Sequence, residues 1–228
     1  MSQVFKFPTV VWGTKGFEFW TYLSLLLLYA QPKSILELGS GRSTSFLGDY
    51  AQAHKAKFAS VETDSSWYNK SAYDLFSMGT KEKQVHLIPI DAGTRWYDLD
   101  QFRNVSRPLA PIDFLLIDAP NDPTGNSHGF RDSEVGVREI NGCAQECQVM
   151  IVDDIHRKHV FETIDKMLPA PGEFEKYFYD YPIIPAHPNT LCVCVRRSAP
   201  VLDRMDEIQN AVGAKIYRDF TGDDCKEP

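Results

Sequence analysis

Positive charge is in short supply: 24 Lys and Arg stand against 31 Asp and Glu, for a formal net charge of -7 over 228 residues. Nucleic-acid affinity rests largely on cations neutralising phosphates, so a general polyanion binder is excluded, and a small neutral or locally guided substrate is the expected partner. Cysteine is sparse as well. Cys143, Cys147, Cys192, Cys194 and Cys225 form neither an even disulfide framework nor a CxxC pair, which points to reduced thiols and a cytoplasmic setting. Cys192 and Cys194 share one face of a strand by period-2 alternation and read as packing thiols. Repeats and low-complexity blocks are missing, and only one apolar run stands out, Phe19 to Ala30. It is too short to span a bilayer, so no membrane partner is expected. It resembles the core of a secretory signal, but cleavage after Ala30 would strip the cover from the strand at Ser34. The better expectation is a buried helix from about Gly16 to Ala30, ended by Gln31-Pro32 and serving as an N-terminal cap over residues 1–33.

Length and 43% hydrophobic content suit one α/β domain over 1–228, with a polar, acidic tail at 222–228 that is expected to fray. Apolar runs of strand length alternate with helix-compatible stretches, the mark of parallel βαβ units. Strands are predicted near 34–38, 58–62, 85–90, 112–117 and 149–152, with helices at 43–54, 66–79 and 133–147 between them. Ser43 or Thr44 can cap the first of these helices. A helix near 157–168 then leads into strands near 174–181 and 190–196, joined by the proline-rich return Pro182 to Asn189. That short connection makes one late strand antiparallel to the rest.

The strand SILELG runs straight into Ser40-Gly41-Arg42-Ser43-Thr44, which places a glycine-rich turn at the carboxyl edge of the sheet. Open α/β folds bind their ligands at that edge, and Gly39 and Gly41 let backbone approach a ligand closely. A dinucleotide fingerprint would need a third glycine where Thr44 stands. What is present, Glu37-x-Gly39-x-Gly41, resembles motif I of the class I S-adenosylmethionine-dependent methyltransferases, and later motifs follow in that family's order. Glu62 in ASVETD closes the second strand, and Asp91, followed by Ala92, in IPIDAG closes the third. The resemblance implies a Rossmann-like seven-stranded sheet, mostly parallel, with helices on both faces. It further implies an S-adenosylmethionine cofactor held by Glu37, Gly39, Ser40, Gly41, Arg42, Glu62, Asp91 and Ala92, with Glu62 accepting from the ribose hydroxyls and Asp91 beside the adenine. Upstream, Gly13-Thr14-Lys15-Gly16 resembles the segment crossing the cofactor in catechol-type O-methyltransferases, and Trp12 is either a stacking platform or core packing.

Carboxylates close two further strands, Asp118 after IDFLLI and Asp153-Asp154 after VMIV. Asp118, Asp153 and Asp154 resemble the divalent-metal ligands of catechol-type O-methyltransferases, and oxygen ligands of this kind suit Mg²⁺ or another hard divalent ion. That family generally carries Asn at the position of Asp154. Asp118-Ala119-Pro120 and Asp153-Asp154-Ile155-His156-Arg157 also resemble the glucuronoxylan 4-O-methyltransferases, which implies a sugar or other small hydroxyl as acceptor. A hydroxyl needs a base or a metal ion to lose its proton. His156, with Asp118 and Asp153 beside it, is the first choice for the catalytic set, and His128 and His159 are the alternatives. The bland reading of the paired aspartates is that one of them N-caps the following helix. The loop Asn121 to Asp132 suits a substrate-covering flap, and Arg131 or Arg157 could hold an acidic sugar. Two other readings stand beside the O-methyltransferase. One is N-methylation, whose Asn/Asp-Pro-Pro-Tyr type of signature is missing after the fourth strand, and the other is a cofactor-binding module of the same fold without chemistry.

Overall fold

The computed structural model describes residues 17–80, 84–119, 133–184, 187–212 and 216–217. Gly13 to Gly16, Trp12, the loop Asn121 to Asp132 with His128 and Arg131, and the tail from Gly222 lie outside these residues. Ten strands are described: β1 (Ser34–Leu38), β2 (Lys57–Glu62), β3 (Val85–Leu87), β4 (Ile90–Asp91), β5 (Trp96–Tyr97), β6 (Phe114–Ile117), β7 (Val149–Val152), β8 (Phe174–Ile184), β9 (His187–Arg196) and β10 (Ile216–Tyr217). Eight of them form one sheet in the order β10-β8-β9-β7-β6-β1-β2-β3, and β4 and β5 form a separate small hairpin. The β3-β2-β1-β6-β7 run is parallel, while β9 is antiparallel to both β7 and β8. This is the seven-stranded, Rossmann-like sheet with one reversed late strand, extended at its edge by the two-residue β10.

Alternation along the strands sorts the core into two layers. Phe114 and Leu116 of β6, Val149 and Ile151 of β7, and Leu191, Val193 and Val195 of β9 pack on one face. Leu115, Ile117, Met150, Val152, Cys192 and Cys194 pack on the other. A sheet buried on both faces needs helices on both, and it has them. The first face is covered by α1 (Phe17–Ala30), α2 (Arg42–His54), α3 (Ser65–Ser77) and α8 (Met205–Val212). The second is covered by α4 (Leu99–Ser106), α5 (Glu134–Cys143), α6 (Lys158–Phe161) and α7 (Ile164–Met167). Helix α1 buries Trp20, Leu23, Leu26 and Leu27 in the layer it shares with the sheet. Among the described residues no helix is long and apolar enough to cross a membrane. The Cys192 and Cys194 sulfurs lie 3.6 Å apart in the second layer, fully buried, and burial pushes the Cys192 and Cys147 thiols up in pKa.

Three expectations change in the folded chain. The third strand ends at Leu87, since Pro89 cannot donate to a ladder, and Ile90–Asp91 turns instead into the hairpin with Trp96–Tyr97. The helix expected over 157–168 breaks into α6 and α7 between Phe161 and Ile164. The helix after β1 begins at Arg42 with Gly41 as its N-cap, so neither Ser43 nor Thr44 occupies the cap position.

Candidate functional site

The carboxyl ends of four parallel strands are stitched together one hydrogen bond past their ladders. Gly39 N–H donates to Val61 O at 2.8 Å, Asp118 N–H to Leu38 O at 2.8 Å, and Asp153 N–H to Ile117 O at 2.9 Å. Glu37-Gly41, Glu62, Asp118 and Asp153 therefore share one edge of the sheet, as their sequence positions at strand ends predict. Gly39 sits at φ 93°, and a Cβ there would lie 2.7 Å from Ala119 Cβ and 3.0 Å from the Asp118 carbonyl carbon. Only glycine satisfies both the left-handed backbone and the missing space. A Cβ on Gly41 would meet nothing within 4 Å, so the loop is open on that side.

Glu37 is fully buried, beneath the first turn of α2. Its Oε2 accepts from Thr44 Oγ1 at 2.7 Å, and Thr44 Oγ1 in turn accepts from Gly41 N–H at 2.8 Å. Thr44, the residue that breaks the dinucleotide pattern, thus ties the glycine loop to the buried acid. The other oxygen, Oε1, is buried with no hydrogen bond of good geometry. Burial raises the Glu37 pKa to about 7, with the Ser43, Thr44 and Ser60 hydroxyls pulling it down and Asp118 adding to the rise. Arg42, the first residue of α2, likewise has a buried guanidinium nitrogen, Nη1, without a partner.

Glu62, 5% exposed, is held from all sides. Ser40 N–H and Ser40 Oγ donate to its Oε2 at 2.7 and 2.9 Å, while Thr63 N–H and Asp64 N–H donate to Oε1 at 2.6 and 2.8 Å. Ile88 N–H reaches the Glu62 carbonyl at 2.8 Å, which holds the segment after β3 close to this corner. Asp91 and Ala92 are exposed on the β4–β5 turn. Asp91 Oδ1 accepts from Gly93 N–H and Thr94 N–H, both at 2.8 Å, and these bonds hold its carboxyl below the usual carboxylate range. The fold thus gives Asp91 a turn-forming role and places it off the end of the main-sheet strand β3.

On the other half of the edge, Asp153 is buried and its Oδ1 accepts from Asp154 N–H at 2.8 Å. Asp154 takes a left-handed φ of 60° and its Oδ2 meets Arg157 Nη2 at 3.3 Å. Neither aspartate caps a helix, because α6 starts at Lys158 with Arg157 before it. His156 and Arg157 follow, both half-buried. Among the described residues, no group of three or more His, Cys, Asp or Glu side chains is arranged to hold a metal ion. Among the described residues, Asp118, Asp153 and Asp154 are therefore not gathered into such a group. At the left-handed turn the Asp154 carboxylate faces the Arg157 guanidinium.

Sequence reasoning missed Ser40, Ser60 and Thr44 as the hydroxyls around the two glutamates. Alternation was the available signal for one of them: Ser60 stands opposite Glu37 in the β1–β2 register and points to the same face.

No known family profile matches the chain, and no curated protein matches it. Solved structures do match. They include the METTL16 MTase domain (10% identity, TM-score 0.48, covering 79% of this chain and 66% of that one). A spermidine synthase in complex with the transition state analogue AdoDATO follows (16%, TM-score 0.49, 83% and 64%). A candidate caffeoyl-CoA O-methyltransferase from Staphylococcus aureus is a third (16%, TM-score 0.48, 78% and 83%). The chain spans just under two thirds of the length of the first two. Scores below 0.5 transfer no function, and the Rossmann-like fold rests on the strand order itself.

Proposed function

We propose that this chain is an S-adenosylmethionine-dependent O-methyltransferase acting on a hydroxyl of a small molecule or sugar. The observation that carries the reading is the pair of unmet buried groups around an open glycine loop, Glu37 Oε1 and Arg42 Nη1. A buried carboxylate oxygen without a well-formed hydrogen bond and a buried, unpartnered guanidinium nitrogen complement the ammonium and carboxylate of an amino-acid moiety. Glu62, at the end of the next strand, is placed for the hydroxyls of a ribose. The cofactor, when bound, supplies a methyl group on a sulfonium leaving group. The chain's own residues bind and orient it through Glu37 to Arg42 and Glu62, and orient the acceptor beside Asp118 and Asp153. His156, two residues past Asp154 at the same edge, takes the acceptor's proton. Among the described residues the three aspartates form no metal-holding group, so the proposal assigns the acceptor's proton to His156, and turnover that survives prolonged chelation is the expected result.

Titration calorimetry with S-adenosylhomocysteine and NAD tests the cofactor, and mass spectrometry of methylated products from a panel of sugars and phenols tests the acceptor. The expected result is binding of S-adenosylhomocysteine and no binding of NAD. Tighter binding of NAD would end the reading. Binding of S-adenosylhomocysteine without transfer to any hydroxyl or amine would leave the non-catalytic module in its place.

A further inference from the structure

A carboxylate offers about four acceptor sites, and those of Glu62 are taken by Ser40 N–H, Ser40 Oγ, Thr63 N–H and Asp64 N–H, with Thr63 Oγ1 a long 3.5 Å from Oε1. Two features of this set matter for a ligand that needs the same carboxylate. The donors are segregated by oxygen: Oε1 is held by the amides of the next two residues, whose positions follow from the chain leaving β2 toward α3. Oε2 is held by residue 40 alone, through its amide and its hydroxyl. Residue 40 is also the one that can yield. Its hydroxyl turns about a single bond, it is half-exposed, and it is followed by Gly41, around which a Cβ would find open space. Thr44 already holds the Gly41 amide, so the loop beyond residue 40 stays anchored to Glu37 while Ser40 turns.

We propose that Ser40 is an internal competitor for the ligand, its hydroxyl occupying on Glu62 Oε2 the acceptor site that a ribose hydroxyl must take. The inference rests on the reading of this edge as an S-adenosylmethionine site, and it adds to that reading a residue that sets affinity by standing in the way. Ser40 acts here through Glu62 as a positioning residue. In the free chain it keeps a buried carboxylate satisfied, which an open diol site would otherwise leave to water. On binding, one hydroxyl donor is exchanged for another, and the ligand gains only the difference between the two bonds. A ligand lacking ribose hydroxyls makes no such exchange and is indifferent to Ser40.

The test is Ser40→Ala, with S-adenosylhomocysteine and its 2′,3′-dideoxy analogue titrated into wild type and variant. Ser40→Ala is expected to bind S-adenosylhomocysteine about tenfold more tightly, the equivalent of roughly 1.4 kcal/mol, while affinity for the dideoxy analogue changes less than twofold. A general loosening of the loop would shift both ligands alike, and that result overturns the proposal, as does unchanged or weaker binding of S-adenosylhomocysteine. Failure of the wild type to bind S-adenosylhomocysteine at all removes the site assignment and the competitor with it. Wild-type binding with no gain in Ser40→Ala removes the competitor alone. Thermal melts of both proteins establish that each titration reports on folded chain.

Discussion

At the β1–β2 half of the sheet edge, two glutamates are gripped by hydroxyls and amides: Glu37 through Thr44, and Glu62 through Ser40, Thr63 and Asp64. At the β6–β7 half, Asp153 is held by the amide of its own neighbour, and Asp154 takes a left-handed turn to reach Arg157. The first half orders its acids with neutral donors drawn from three different segments, so its acids are held before any ligand arrives, the Ser40 hydroxyl being the donor that exchanges. The second holds Asp153 by local backbone and sets Asp154 against Arg157. Such a division suits a site in which one ligand never changes and the other is chosen by adaptable parts. Charge is met differently in the two halves as well: burial keeps Glu37 able to hold a proton at neutral pH, and Arg157 answers Asp154.

The largest expected effect lies on the β6–β7 side. His156→Ala should lower kcat by roughly 10²- to 10⁴-fold, the usual range for loss of a general base, with S-adenosylhomocysteine affinity unchanged in calorimetry. A variant with full turnover would move the base to His128 or His159. Next comes the joint between the halves. Gly39→Ala forces a Cβ to within 2.7 Å of Ala119 Cβ at a φ of 93°, and should cost about 3 kcal/mol or more in urea unfolding. An unchanged midpoint would mean the two loops are less tightly apposed than described.

Glu37 separates the halves by pH. Its folded pKa, about 7, stands above its ordinary 4.5, so its contribution to stability is fully present below 4.5 and is lost as pH rises through about 7. That gap corresponds to at most about 3 kcal/mol. Glu37→Gln cannot ionise, so its stability relative to wild type should grow by about 2–3 kcal/mol between pH 5 and pH 8. Denaturant curves that stay parallel across this window would show that Glu37 is not the titrating group. The smallest effect belongs to Asp154. Asp154→Asn keeps a residue that tolerates the left-handed turn and weakens a partly exposed ion pair, so its unfolding free energy should fall by no more than about 1 kcal/mol. A larger loss would make that pair a true support of the β7 end.

The parallel strands were legible because burial on both faces writes near-continuous apolar runs, as in FLLI of β6 and VMIV of β7. The hairpin β4–β5 was not, since two-residue strands carry no periodicity. Helix α8 was missed although Met205, Ile208 and Val212 lie at helical spacing, and α4 although Asp98 caps it by accepting from Gln101 N–H at 2.9 Å. Within the candidate site, Glu37, Gly39 and Glu62 were readable as strand-end residues. Their partners were not, because a serine or threonine advertises nothing until the fold decides which carboxylate it faces. The metal expectation is open to the same limit: three aspartates in sequence say that acid is abundant at an edge, but backbone conformation decides where each one points.

The buried thiols give the chain a clock of its own. Cys192 and Cys194 lie on β9 and Cys147 just ahead of β7, all fully shielded, and burial keeps the Cys147 and Cys192 sulfurs in the unreactive thiol form. Alkylation at these positions therefore waits for the surrounding layer to open, so each labelling rate, located by peptide mapping, times how often that part of the sheet comes apart. If Cys147, Cys192 and Cys194 mark time together at the rate of global unfolding, the reversed strand is one cooperative unit with the parallel ones. If β9 runs faster, the antiparallel edge breathes on a schedule of its own.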